Sequence, residues 1–186
     1  MFKNIINISY VKIRVTFVFV TLIIFMLFIL LILPSEAARS DEYFGDTSAP
    51  DTSFFYSAED LYRTARDFGS EGRAYYIRSR FTFDIVWPLA YGVFLWASIA
   101  YFGRGLKHTI IRYMILLPIL AVILDYMENS GASLVMFMYP DRVPVLPSIV
   151  AFFTMSKWLT IGASFIVLVA LIICHIITLL QPKQFN

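Results

Sequence analysis

The sequence predicts an all-α integral membrane protein, a four-helix bundle with an outward amphipathic helix between its first and second spans. Three observations predict it. Hydrophobic residues make up 59% of the 186 and charged residues only 15%, with a mean hydropathy of +0.74. A soluble domain is about 45–50% apolar and about 25% charged, so this chain has too little polar surface to cover a globule in water. Apolar runs of the length a bilayer requires, about 20 residues each, recur along the chain. Only one long polar stretch, 34–80, interrupts them. The chain accordingly divides into an N-terminal anchor (1–33), a polar extracytoplasmic linker with an amphipathic helix (34–80), a three-span bundle (81–180) and a short tail (181–186).

The first apolar run, Val15–Leu33, contains no charge; Lys3, Lys12 and Arg14 precede it and Pro34 is expected to end it. A basic start, an apolar run and small residues at Ser35–Ala38 also describe a cleaved signal peptide. A signal h-region is about 7–15 residues, shorter than this run, and the length favours a retained anchor. Cleavage would leave three spans. Pro34–Thr52 carries no periodicity and reads as a linker.

Ser57-Ala58-Glu59-Asp60 reads as a helix start, with a serine cap and an acid three residues on. Leu61, Ala65 and Phe68 then fall on one helical face, and Arg63, Arg66 and Asp67 largely off it. Gly69 is placed to stop that helix. The result is a short amphipathic helix lying on the membrane or on the bundle. A second helical stretch from about Glu71 carries Arg73, Tyr75, Tyr76, Arg78 and Arg80, the aromatic and basic residues expected at the level of lipid headgroups.

The second span is expected at about Phe81–Phe102, kinked where Pro88 cannot donate to the carbonyl of Asp84. Gly103–His108 is a tight basic turn. The third span, about Ile110–Met138, contains Pro118, and Tyr139–Pro144 is a proline-rich turn. The last apolar segment, Leu146–Leu180, is either one tilted helix or an interfacial piece followed by a span from Trp158. Lys3, Lys12, Arg14, Arg104, Lys107, Arg112 and Lys183 fall in short segments without acids, whereas the arginines of 34–80 are diluted by acids. The positive-inside rule therefore places both termini in the cytoplasm and residues 34–80 outside, as for a protein of a prokaryotic plasma membrane.

Candidate chemistry sits in the apolar segments. Asp125, Glu128 and Asn129 are spaced i, i+3, i+4 and share a helix face. Ionisable residues in a span are costly and face a bundle interior, a cavity or a partner charge. Lys157 is the expected partner if the last helix starts near Pro147; if it starts at Trp158, Lys157 is an interfacial anchor. Asp84 and Tyr126 complete the candidate polar site.

The composition excludes other classes. A net charge of +2 and the lack of a Lys/Arg block give no footprint for nucleic acid. The one cysteine, Cys174, allows no intramolecular disulfide and no cysteine-cluster metal site. A di-iron bundle uses Glu-x-x-His pairs, and Asp125-x-x-Glu128 lacks the histidine, so neither a metal nor another cofactor is expected. The expected partners are the bilayer, a membrane protein or a second copy of the chain, and a lipid-like small molecule.

The stretches Glu71-Gly72-Arg73-x-x-Tyr76, Thr82-Phe83-Asp84-x-x-Trp87-Pro88-x-x-Tyr91 and Asp125-Tyr126-x-Glu128-Asn129 resemble a family of small prokaryotic four-span membrane proteins with no assigned reaction. The resemblance covers about 58–180 and implies architecture, not activity. A looser, fold-level similarity is to the sterol-isomerase and sigma-2-receptor superfamily, whose buried acids bind a cationic or sterol-like ligand. Three functions follow as expectations. The first is a structural or accessory bundle that docks a partner. The second is a binder or enzyme for a lipid-like molecule, with Glu128 or Asp125 as the acid–base group. The third is ion or proton transport by an oligomer.

Overall fold

The structure is a computed structural model and describes residues 10, 12–45, 47–104 and 112–180. Among these the regular elements are all helical. Helix α1 runs Val15–Phe44, α2 Ala58–Asp67, α3 Gly69–Arg80, α4 Phe83–Phe102, α5 Leu117–Met138 and α6 Leu146–Leu180. A turn at Phe81 and Thr82 separates α3 from α4, and the pair forms one helical segment, Gly69–Phe102, that contains an apolar stretch of spanning length. With α1, Met114–Met138 and α6 this makes four helical segments long and apolar enough to cross a membrane.

The first helix does not stop at Pro34. It passes through a π-helical turn at Phe28–Ile32 into a fresh α-segment, Leu33–Phe44, with proline in its opening turn. There the missing N–H costs nothing, so the π turn removes the penalty that a proline in a helix interior imposes. The continuation is held by ring stacking that a reading of 34–52 as linker overlooks. Phe44 stacks on Phe68 with centroids 4.0 Å apart, and Tyr43 on Tyr75 at 4.2 Å.

Helix α2 starts as expected. The Ser57 side chain accepts from the Asp60 amide, and the Asp60 carboxylate accepts from the Ser57 amide at 2.9 Å, a closed capping box. Leu61, Ala65 and Phe68 are buried and Arg63 and Arg66 exposed. Gly69 takes φ +61°, the left-handed conformation that lets α2 end and α3 begin at once. The buried face packs on the bundle, against Ala132, Val135, Met136, Val150 and Ala151 of α5 and α6.

One further sequence reading is corrected, and one open alternative is decided. Pro118 does not interrupt a span; it sits in the first turn of α5, after a 3₁₀ turn at Met114–Leu116. The final segment is a single helix, Leu146–Leu180, not an interfacial piece followed by a span. The expected basic turn, Gly103–His108, and the start of the third span at Ile110 fall largely outside the described residues.

Two apolar cores lie at different levels. One gathers Phe25, Phe94, Leu95, Ile99, Ile115, Ala121, Leu168 and Leu171 from α1, α4, α5, its preceding turn and α6. The other gathers α2, α3 and the facing parts of α5 and α6. Along α5 the order is Ala121, then Asp125, Glu128 and Asn129, then Ala132; along α6 it is Val150, then Thr154 and Lys157, then Leu168. A polar layer thus lies between two apolar ones.

Glycine permits the close approach of α5 to α6. A Cβ on Gly131 would stand 2.5 Å from Val150 Cγ2, whereas nothing lies within 4 Å of one on Gly162. Gly131→Val is expected to lower stability by about 1–3 kcal/mol through overpacking. Gly162→Ala is expected to raise it by up to about 1 kcal/mol through helix propensity. Thermal unfolding in mild detergent separates the two.

A candidate functional site: the buried ionic layer

Five parts of the chain deliver polar side chains into the layer. From the segment before α2 come Asp51, in a 3₁₀ turn at Pro50–Thr52, and Tyr56. Helix α3 supplies Tyr76 and Arg80, α4 Asp84 and Tyr91, α5 Asp125, Glu128 and Asn129, and α6 Thr154 and Lys157. Glu128 and Thr154 are 0% exposed and Lys157 4%. Lys157 therefore lies inside the bundle and is not an interfacial anchor. At a rise of about 1.5 Å per residue it is about 16 Å along α6 from Leu146.

The layer has two cationic centres. Lys157 Nζ makes a short contact with Glu128 Oε2 and lies 3.7 Å from Asp125 Oδ1. Arg80 Nη1 lies 2.6 Å from Asp51 Oδ2 and 3.0 Å from Asp84 Oδ2, with its guanidinium 4.4 Å from the centroid of the Tyr76 ring. Hydroxyls and an amide complete the coordination. Tyr91 donates to Asp125 Oδ2 at 2.9 Å and Asn129 Nδ2 to Asp125 Oδ1 at 3.0 Å. Thr154 donates to Glu128 Oε1 at 2.6 Å, and its oxygen is 2.9 Å from the Tyr56 hydroxyl. Trp158 Nε1 donates to the Asp51 carbonyl at 3.2 Å and pins the 3₁₀ turn over the layer.

The electrostatics follow from this placement. Burial alone would push the Asp51 carboxyl up, but Arg80, helped by Lys157, outweighs it and holds it below the usual aspartate range. Burial pushes the Tyr56 hydroxyl up, and the charge of Glu128 pushes it further. At the surface, a two-pronged pair between Arg142 and Glu59, at 2.9 and 3.0 Å, holds Glu59 below its usual value. The amide of Val143 donates to the Tyr62 hydroxyl at 2.7 Å, so the turn after α5 is tied to α2 twice.

The candidate residues are not all joined in the same way. Asp125, Glu128, Asn129 and Lys157 meet directly. Asp84 is joined through Arg80. Tyr126 is half-buried and its hydroxyl donates instead to the Ile85 carbonyl at 2.7 Å. Of the five residues expected at headgroup level, Arg78 is exposed and Arg73 half-buried, its guanidinium 4.7 Å from the Tyr139 ring centroid. Tyr75, Tyr76 and Arg80 turn into the protein instead. The capping turn covers Arg80, and Asp84 draws it inward. That i, i+4 spacing was the available sequence signal for Arg80. Thr154 was legible as the residue one helical turn before Lys157. Asp51 and Tyr56 lie in an irregular segment, where spacing carries no such signal.

Among the described residues, no group of three or more His, Cys, Asp and Glu side chains is placed to hold a metal ion. No family model, curated protein or solved structure matches the chain.

Thr154→Val would strip Glu128 Oε1 and the Tyr56 hydroxyl of a shared partner, and is expected to cost about 1–3 kcal/mol. Ser98 is the control: its hydroxyl is buried without a hydrogen-bond partner among the described residues. Ser98→Ala is expected to leave stability unchanged or raise it. Thermal unfolding of the two variants side by side reads the difference.

Proposed function

We propose that this chain is an integral membrane accessory protein, a four-span bundle whose ionic layer clamps an outer cap onto the spans so that the cap can hold a partner. The observation that carries the reading is the pairing within the layer. Each of the four carboxyls faces a cation or a hydroxyl delivered by another helix or loop, the arrangement of a device that fixes the register of packed elements. The cap consists of α2, the segment before it and α3. It is fastened further by the Glu59–Arg142 and Tyr62–Val143 ties, and it presents Arg63 and Arg66 outward.

A membrane setting is supported by the outer surface of the long helices. Phe19 is 59% exposed, Leu30 67% and Ile166 72%, a surface suited to lipid tails and costly in water. The basic ends support the assigned orientation. Tyr10 donates to the Arg112 carbonyl at 3.3 Å, and His175 packs on Phe102, so the start of α1, the end of α4, the approach to α5 and the end of α6 lie together. That end is the cytoplasmic one in this reading, and the cap is outside.

A lipid-like ligand, the second reading, is favoured at one place away from the carboxyls. A groove of about 520 Å³ between α1 and α4 is lined by Ile13, Phe17, Val20 and Trp96, with Lys12 and Arg14 beside it. Its chemistry suits an acyl chain beneath an anionic headgroup.

The accessory reading is tested with Arg66→Cys in a Cys174→Ser background. A membrane-impermeant maleimide is expected to label the introduced thiol in intact cells, and a thiol-anchored photo-crosslinker there is expected to give a discrete adduct. A crosslinker at Ile166, on the lipid-facing side, is expected to give none. An unlabelled Arg66→Cys would overturn the orientation. A labelled one without an adduct would overturn the partner-holding role.

A further inference from the structure

We propose that the ionic layer is also a proton-binding site that holds two protons at neutral pH, one on Asp84 and one on the Asp125–Tyr91 pair. The inference starts from a count of charges. Four carboxyls, Asp51, Asp84, Asp125 and Glu128, share two cations, Arg80 and Lys157. With every carboxyl ionised the layer would carry two uncompensated negative charges between two apolar cores. An uncompensated buried charge costs far more than a pair does, and a buried site removes the excess by taking up a counter-ion or a proton. Among the described residues the carboxyls are not grouped to chelate a metal ion, so the proton is the ligand that the geometry fits.

The distances assign the protons. Asp51 makes the closer contact to Arg80, 2.6 Å against 3.0 Å for Asp84. Arg80 and Lys157 together also hold the Asp51 carboxyl below its usual range against the effect of burial. Arg80 and Asp51 are thus the neutral pair at that centre, and Asp84 is the surplus acid. At the other centre Glu128 takes the short contact to Lys157, and Asp125 stands back at 3.7 Å. Asp125 is the second surplus acid. Its Oδ2 lies 2.9 Å from the Tyr91 hydroxyl, whose oxygen can accept from a protonated carboxyl as readily as its O–H can donate to an ionised one. In the neutral layer the proton therefore has an acceptor already in place.

A separate observation points to a ligand in the same place. The Tyr76 hydroxyl is wholly buried and has no hydrogen-bond partner among the described residues, and the Arg80 guanidinium lies 4.4 Å from the centroid of its ring. Asn129 Oδ1 is buried without a partner beside Asp125. Such groups suit bridging waters, the ordinary carriers of exchangeable protons. Asp51, whose side chain is 18% exposed, is the most accessible of the four carboxyls and belongs to the cap, which makes the cap side the entry for exchange. This inference stands on the layer itself and is independent of the partner-holding role.

Infrared spectroscopy of the full chain in lipid nanodiscs tests it, because a protonated carboxylic acid has a carbonyl stretch that a carboxylate lacks. At neutral pH two such bands are expected, both lost on raising the pH. Asp84→Asn and Asp125→Asn are each expected to remove one band and to leave the melting temperature near that of the parent, since an amide has the shape of the neutral acid. Asp51→Asn and Glu128→Gln are each expected to leave one band, because Asp84 or Asp125 then ionises to answer the cation, and to melt lower, since each strips a cation of its closest partner. The absence of any protonated-carboxyl band at neutral pH would overturn the proposal. So would bands that survive both Asp84→Asn and Asp125→Asn, or a single band lost in both. Loss of the partner adduct at Arg66→Cys with both bands intact would overturn the accessory reading alone.

Discussion

Lys157 carries an ammonium group into the interior of a helix packing, and much of the fold is arranged around neutralising it. A lone buried ammonium would cost several kcal/mol or more. Glu128 offsets that cost only if α5 and α6 keep one rotation and one depth relative to each other, because its carboxylate reaches the ammonium from a single face of α5. Gly131 lets the two helices come close enough, with Val150 packed against its bare backbone. The Lys157–Glu128 contact thus works as a register pin: slipping α6 by a turn would part the pair and leave Glu128 without its cation.

Arg80 plays the same part for the cap. Its guanidinium joins Asp51, from the segment that precedes α2, to Asp84 in the first turn of α4. The 3₁₀ turn at Pro50–Thr52, the indole of Trp158 and the Tyr56–Thr154 contact then extend the layer outward, so that the cap and the long helices share one set of polar contacts. Aromatic stacking does the remaining work. Phe44 on Phe68 and Tyr43 on Tyr75 fasten the far end of α1 to α2 and α3, and Phe25 on Phe94, at 4.8 Å, fastens its middle to α4.

What was legible in the sequence divides along the same physical line. Periodic features could be read: the long apolar runs, the capping box of α2, and the shared face of Asp125, Glu128 and Asn129 depend only on spacing along one helix. The end of α1 could not, because whether Pro34 breaks a helix depends on the π turn before it and on rings that arrive from α2 and α3. From sequence Arg80 reads as a headgroup residue, because an arginine beside tyrosines at a helix end has that meaning; its burial against Asp51 and Asp84 emerges only in the fold. Asp51 and Tyr56 enter the site through tertiary contacts alone. Several residues of the Glu71–Tyr76, Thr82–Tyr91 and Asp125–Asn129 stretches, namely Tyr76, Asp84, Tyr91, Asp125, Glu128 and Asn129, belong to this layer.

The central claim is that the layer is a paired element and that its charges are held for each other. The most direct test is a double-mutant cycle on Glu128 and Lys157, read as the thermal stability of the purified chain in mild detergent. The account predicts that Glu128→Gln and Lys157→Met each destabilise by about 3–5 kcal/mol, because each leaves the other charge buried with too little to answer it. It predicts that the double variant recovers most of that loss. Stability in Glu128→Gln alone that equals or exceeds the parent's would contradict it, since the carboxylate would then be held at a cost to the fold and not for its sake.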